Sequence, residues 1–385
     1  MLVGLDAIPL ASPRTGVGHY TFELARHLAL IAPEIEFQLV SPFPLAYEVQ
    51  REAGLDLPAN LRFVQAKANA LRRRWFAVGL PLYIRQSGFD LFHGTNYEVP
   101  LWGKCPNVLT IHDLSLLLHS QTHEERLVRR GLRRLPLMAR AARRIITATE
   151  SVRAEICEHL RVDPKKIVCT PYAPRDIFRP APLEEIVETK QRLKIEDDFI
   201  LFVGTIEPRK NLLTLVRAFE EITRSTPLRP QLVIAGKEGW LNDELFSNIR
   251  MQGLEDRLRF TGYIRDEELR ALYSACRAFV YPSIYEGFGL PTLEAMACGA
   301  PVITSRIPTL LETVGTEAAR LVHPTDVSAL ARNIVELLND EKERQRLSSA
   351  GQRRAAQFSW EKTACETLEV YKEVLERDRM RNDER

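Results

Sequence analysis

From end to end, the chain alternates short apolar runs rich in β-branched and aromatic residues with longer amphipathic runs, and it does so in two successive series. The strand candidates of the first series are LVGLDAI, FQLVSP, FDLFHG, NVLTIHD, RIITAT and KIVCTP, interleaved with helical stretches such as GHYTFELARHLALIA and ERLVRRGLRRLPLMARAA. Those of the second are FILFVGT, PQLVIAG, RLRFTGY, AFVYPS, PVITS and ARLVH. A helix between two strands returns the chain to run in the same direction. The alternation therefore predicts α/β architecture with parallel, doubly wound sheets and helices on both faces. The proline-rich stretch TPYAPRDIFRPAP, Thr170–Pro182, breaks the pattern once and predicts a linker between two domains. Two such domains create a cleft between them, and their ligands are expected at loops following the carboxyl ends of strands.

A chain of 385 residues accommodates two cores, and its 45% hydrophobic and 27% charged content is that of a globular protein. No run is long and apolar enough to cross a bilayer, and MLVGLDAIPLASPRTG enters strand-like sequence without the basic start of a secretory signal. Six cysteines lie far apart with no CxxC pair, which predicts reduced thiols in a cytosolic protein and neither a zinc site nor a disulfide framework. Net charge is +2 but unevenly shared: residues 1–175 carry +7 and the remainder −5. That asymmetry points to an anionic partner for the first half.

Four loops carry candidate chemistry. SPRTGVGHY, Ser12–Tyr20, places Gly16 and Gly18 in a predicted tight turn before a helix, where a backbone can approach an anion; a plain turn reads equally well. A dinucleotide fingerprint is incomplete, because Thr21 and Ser41 stand where a small and an acidic residue are required. His112 and Asp113 end a buried strand, as either core residues or cleft residues. HGTNYEVPLW gathers His93, Asn96 and Tyr97, side chains that suit sugar faces and hydroxyls or a packed loop. VGTIEPRKNL sets Arg209 and Lys210 beside Asn211, the expected N-cap of the following helix. Two cations there oppose the helix dipole unless an anion such as diphosphate lies between them.

The fourth loop is SIYEGFGLPTLEAMACGAPVITS, Ser283–Ser305. Gly287, Gly289 and Pro291 predict a turn into a helix that Gly299 ends, and amides near Gly289 and Leu290 can face phosphate. Glu286 precedes the turn and Glu294 lies one helical turn in. Carboxylates accept hydrogen bonds from neighbouring hydroxyls, so glutamates on hydroxyls with cations and amides on phosphates describe a sugar-nucleotide site.

Glu286 and Glu294, with seven residues between them, resemble the paired glutamates of the family 4 retaining glycosyltransferases, which have the GT-B fold. The resemblance extends to the Gly16/Gly18 loop, His112-Asp113, Glu207–Asn211, GYIRDEEL and EGFGLPTLEAMACGAPVI, and so covers nearly the whole chain. It implies two Rossmann-like domains facing a central cleft: an acceptor-side domain over residues 1–174, a donor domain over 175–360, and a terminal helix, 361–385, packing back on the first. By the same resemblance, Glu286 contacts donor-sugar hydroxyls and Glu294 the ribose, while Arg209 and Lys210 neutralise the diphosphate. Phe288, Gly289 and Leu290 contact sugar and phosphate through amides, and Tyr263 and Ile264 meet the base. His112 lies near the reacting sugar, with its carbonyl toward the anomeric centre, and Gly16 and Gly18 sit under the diphosphate. His93, Asn96, Tyr97 and Asp113 face the acceptor. Thr205, also expected at the nucleotide-sugar donor, stands where many relatives carry an arginine, which shifts weight onto Arg209 and Lys210. No D-x-D triplet occurs, in keeping with a site that needs neither metal nor cofactor.

The implied reaction is hexosyl transfer with retention, in cell-surface glycan synthesis. HGTNYEVPL and VGTIEPRKNL look most like bacterial mannosyltransferases that use GDP-mannose. UDP- and dTDP-sugars stay open as donors, as does a sugar-nucleotide epimerase on the same fold; a polyanion-binding protein would leave the cleft residues unexplained. The acceptor is expected to be a glycan or lipid-linked. LRRRWFAVGLPLYIRQ and RLVRRGLRRLPLMARAARR fit either an anionic membrane surface, with the protein peripheral on its cytoplasmic side, or a solvated helix face. No nucleic-acid motif is present.

Overall fold

A computed structural model of the chain describes residues 1–12, 16–46, 57–67, 74–240, 245–247, 249 and 253–383, with side chains to 380. Pro13, Arg14 and Thr15 of the glycine loop, and Leu71–Arg73 at the head of the basic-aromatic stretch, lie outside the described residues. The chain forms two units. The first comprises Met1–Leu118, Glu124–Tyr172 and Ser359–Arg385; the second comprises His119–His123 and Ala173–Phe358.

In the first unit seven parallel strands, β1 (Leu2–Asp6), β2 (Glu36–Ser41), β3 (Leu61–Gln65), β4 (Leu91–Gly94), β5 (Asn107–Thr110), β6 (Arg144–Thr147) and β7 (Ile167–Cys169), lie in the order 3-2-1-4-5-6-7. Strands β4, β5 and β6 are buried along their length, as expected of a parallel sheet covered on both faces. Leu5 of β1 lies opposite both Leu39 and His93, so the order reverses between β1 and β4. Helix α1 (Gly16–Ile31) buries Tyr20, Leu24 and Leu28, and the C-terminal helix Trp360–Asp383 packs along it. Helix α2 (Glu125–Ala141) contributes Leu135 and Met138 to a core shared with Leu109 and Ile145.

Two sequence expectations change here. Strand β3 has no counterpart among the apolar runs, because LRFVQ is a half-exposed edge strand whose sequence mixes polar and apolar residues. Gly16 and Gly18 do not form a turn ahead of the helix. They lie inside the first turn of α1, where the glycine backbone adopts ordinary helical geometry.

The second unit repeats the plan with six parallel strands, β8 (Phe199–Val203), β9 (Gln231–Ala235), β10 (Leu258–Gly262), β11 (Ala278–Tyr281), β12 (Val302–Ser305) and β13 (Ala319–Val322), in the order 10-9-8-11-12-13. Helix α3 (Leu212–Ser225) buries Leu215, Val216, Phe219 and Ile222, one stripe at helical spacing. Helices α4 (Asp266–Ala275) and α5 (Leu290–Ala297) follow β10 and β11. The order reverses between β8 and β11, so the loops leaving these neighbouring strands diverge and open a crevice at their carboxyl ends. Among the described residues, no helix is long and apolar enough to cross a membrane.

Candidate active site

The crevice of the second unit brings together residues far apart in the chain. After β8, residues Pro208–Lys210 form a single 3₁₀ turn that presents Arg209 and Lys210. After β11, the loop carries Glu286 back toward them. Lys210 Nζ lies 2.7 Å from Glu286 Oε1, and Arg209 reaches Glu286 Oε2 at 3.3 Å. Arg209 also donates to Glu207 Oε1 at 2.5 Å and to the Tyr285 carbonyl at 2.9 Å. The Lys210 ammonium bonds the Tyr281 hydroxyl and lies 4.9 Å from the centre of that ring. Burial by itself would raise the Glu286 carboxyl; Lys210 and Arg209 overcome it and pull the carboxyl down to about 2. Burial lowers the Lys210 ammonium, and Glu286 opposes that shift. The anion anticipated between the two cations is thus Glu286 itself. Two cations and two carboxylates, counting Glu207, make the cluster formally neutral.

Asn211 stands at the N-cap position of α3 but does not cap it with its side chain. Its backbone is left-handed, at φ 57°, and its amide donates to the Pro282 and Pro324 carbonyls at 2.9 and 2.7 Å. It therefore ties the loops after β11 and β13 to the Arg209–Lys210 turn. Thr205 is half-buried at the start of the same loop.

Gly289 precedes α5 at φ 90°, a conformation that disfavours side chains, and a Cβ there would meet Leu310 Cδ2 at 2.4 Å. Its carbonyl accepts from the Thr292 amide and hydroxyl. The Phe288 carbonyl accepts from the Thr313 hydroxyl at 2.6 Å, and the Phe288 ring meets Phe358 edge-on. With these carbonyls engaged, the turn is held so that the Leu290 N–H, at the first helical position, has no acceptor within the helix. Glu294 is buried on α5 and accepts from Arg175 Nε at 3.3 Å. Arg175 also donates to Asp266 Oδ2 at 2.5 Å. In the loop after β10, Ile264 is buried, whereas Tyr263 is 52% exposed with Lys237 5.0 Å above its ring.

The first unit gathers a second group at the ends of β4 and β5. His112 Nε2 lies 2.8 Å from the Thr95 carbonyl, which can only accept, so Nε2 carries the proton and Nδ1 accepts from the Tyr172 hydroxyl at 2.7 Å. Burial lowers the imidazole to about 4, which keeps it neutral near pH 7. Both ring nitrogens are engaged, so any ligand contact by His112 goes through its main chain. Tyr97, left-handed at φ 60°, accepts from the Asp113 amide and sets its ring edge-on to His112. The Asp113 carboxylate accepts from the Ser115 amide at 2.9 Å, and Asn96 is half-buried beside Tyr97.

His93 departs from expectation. It is fully buried, with Nδ1 2.6 Å from the Tyr371 hydroxyl on the C-terminal helix and Nε2 2.7 Å from the Thr110 hydroxyl. An acceptor cannot reach it; it joins that helix to the sheet, and burial lowers its imidazole to about 3. Glu207, Tyr281, Tyr172 and Arg175 are the participants that sequence reasoning missed. Glu207 was visible inside EPRKN, whereas nothing local marks the others.

Comparison with known proteins agrees with this architecture. The profile of Glycosyltransferase Family 4 matches residues 14–172, and that of Glycosyl transferases group 1 matches residues 185–354. The O-antigen chain mannosyltransferase B of Escherichia coli is 32% identical over 378 residues, covering 94% of this chain and 97% of that protein. The MMP alpha-(1->4)-mannosyltransferase of Mycolicibacterium hassiacum is 30% identical over 411 residues, covering 94% and 95%. Anabaena HepE, crystallised with UDP-glucose, matches with a TM-score of 0.74 at 20% identity, covering 97% of this chain and 99% of that one, a likeness of fold. On these matches, the chain belongs to the group 1, family 4 glycosyltransferases and has their two-domain GT-B fold.

Proposed function

We propose that this glycosyltransferase moves mannose from GDP-mannose to a glycan or lipid-linked acceptor with retention of anomeric configuration. The observation that carries the reading is the ionised Glu286 held between Lys210 and Arg209 at the strand-order reversal. A diphosphate entering that crevice competes with Glu286 for the two cations. Its oxygens take the charge-assisted hydrogen bonds, and the carboxylate turns to the hydroxyls of the donor sugar. As the sugar–phosphate bond breaks, negative charge grows on the leaving diphosphate where the two cations and the Leu290 amide stabilise it. The sugar becomes oxocarbenium-like, and the leaving phosphate accepts the proton of the attacking hydroxyl on the same face. Glu294 holds the ribose hydroxyls and the backbone at Tyr263 and Ile264 meets the base. Gly16 and Gly18, at the amino end of α1, lie under the diphosphate. Basic side chains do the work of a divalent ion, and no cofactor takes part. The His112 main chain faces the donor sugar, and Asn96, Tyr97 and Asp113 face the acceptor. Mannose as the transferred sugar is supported by the two relatives, both named as mannosyltransferases.

Thermal unfolding with GDP, UDP, dTDP, ADP, GDP-mannose and NADH at equal concentration tests the donor. A ligand at about 100 times its Kd adds about 2.7 kcal/mol of stability. Selective shifts with GDP and GDP-mannose are expected. A shift with UDP or dTDP alone keeps the enzyme class and discards this donor, and no shift with any nucleotide discards the donor site.

The acceptor side of the reading includes an anionic membrane surface. On α2, Leu127, Leu132 and Leu137 are 47%, 49% and 49% exposed, next to exposed Arg126, Arg129, Arg133 and Arg140. Arg130 and Arg134 instead clasp Glu98. Arg129 pairs with Glu125 at 3.6 Å, and apolar side chains in water among the other arginines suit phospholipid better than solvent. Each arginine near such a surface contributes about 1 kcal/mol. The variant R126E/R133E is therefore expected to bind phosphatidylglycerol vesicles at least about 25-fold more weakly, with catalysis on a soluble acceptor unchanged. Equal vesicle binding by the two proteins rejects this surface.

A further inference from the structure

We propose that Arg175 is a positioning residue that fixes Glu294 for the nucleotide ribose, so that the segment joining the two units contributes to donor selection. This rests on the reading of Glu294 given above. Arg175 is a buried cation in irregular chain three residues after Tyr172. Its guanidinium lies 4.6 Å from the Phe178 ring centre, and its nitrogens divide between two carboxylates, Nε on Glu294 and Nη1 on Asp266.

Two carboxylates on one guanidinium form a geometric device. The planar guanidinium holds Glu294 Oε1 from one side and so fixes the orientation of the carboxylate plane. It also offsets the charge of Asp266. Tyr273 and the Cys298 thiol also adjoin Glu294, and burial raises both, Cys298 to about 12, so both stay neutral beside it. Arg175 itself touches no reacting atom in this arrangement and acts through Glu294.

The test compares binding of GDP with binding of 2′-deoxy-GDP, or UDP with 2′-deoxy-UDP if the nucleotide panel selects uridine. A ratio of two affinities on one variant cancels any loss of folded protein. The intact chain is expected to favour the ribonucleotide by about tenfold or more, as loss of a hydrogen bond to a charged group implies. Glu294→Gln should reduce that preference and so tests the underlying reading. Arg175→Met should reduce it similarly, and Arg175→Lys, which keeps the charge but not the planar guanidinium, should fall between. If Glu294→Gln loses the preference while both Arg175 variants keep it, Arg175 has no positioning role. If Glu294→Gln keeps it, the ribose assignment of Glu294 fails and this proposal with it. Should Arg175→Met not fold, the lysine variant alone decides: an unchanged ratio overturns the proposal.

Discussion

Glu286→Gln is expected to lower kcat by about 10²–10³-fold, the range seen when one preorganised transition-state contact is lost, while binding of the nucleoside diphosphate stays equal or tightens. The sign of the second effect follows from the structure. Glu286 is ion-paired with Lys210 and Arg209, so it competes with the diphosphate it later helps to expel. Glutamine keeps the shape and removes the competing charge. The diphosphate then meets more available cations, but the oxocarbenium-like sugar loses a carboxylate. Steady-state kinetics and calorimetry with the free nucleotide separate the two effects. Equal losses in affinity and turnover would mean that Glu286 contributes uniform binding and has no transition-state role.

Lys210→Met should have a comparable effect on kcat and a larger one on stability. Methionine leaves the buried Glu286 carboxylate with Arg209 as its remaining cationic partner, and breaking a buried ion pair from one side costs about 3–5 kcal/mol. The double variant Lys210→Met/Glu286→Gln removes both charges together. Its urea midpoint should recover part of the loss, with a coupling of about 0.5–3 kcal/mol, although its activity should not recover. Additive destabilisation would show that the pair contributes no mutual stabilisation and would remove the basis for reading Glu286 as an internal stand-in for diphosphate.

The two sheets were readable because buried parallel strands must be nearly continuous apolar runs, and FILFV and AFVY are buried along nearly all of their length. LRFVQ escaped the same reading because an edge strand is half solvated and need not be apolar. Candidate residues were readable where chemistry and local spacing coincide, as in EPRKN and in the turn at Gly289. Two histidines at strand ends looked alike in sequence. Both are buried, but the fold set His112 against the Thr95 main chain at a loop and His93 under Tyr371, and no local pattern distinguishes these outcomes.

Local periodicity therefore carried the α/β class, the parallel sheets and the glycine-proline turn into α5, because each depends on residues a few positions apart. Partnership did not travel that way. Lys210 and Glu286 are 76 residues apart, and Arg175 and Glu294 are 119 apart. The first pair meets because β8 and β11 lie side by side where the strand order reverses; the second meets because Arg175 follows the crossing of the chain into the second unit. The sequence supplied the charges, but which charge answers which was settled by strand order, since a Coulomb interaction depends on distance through space and not along the chain.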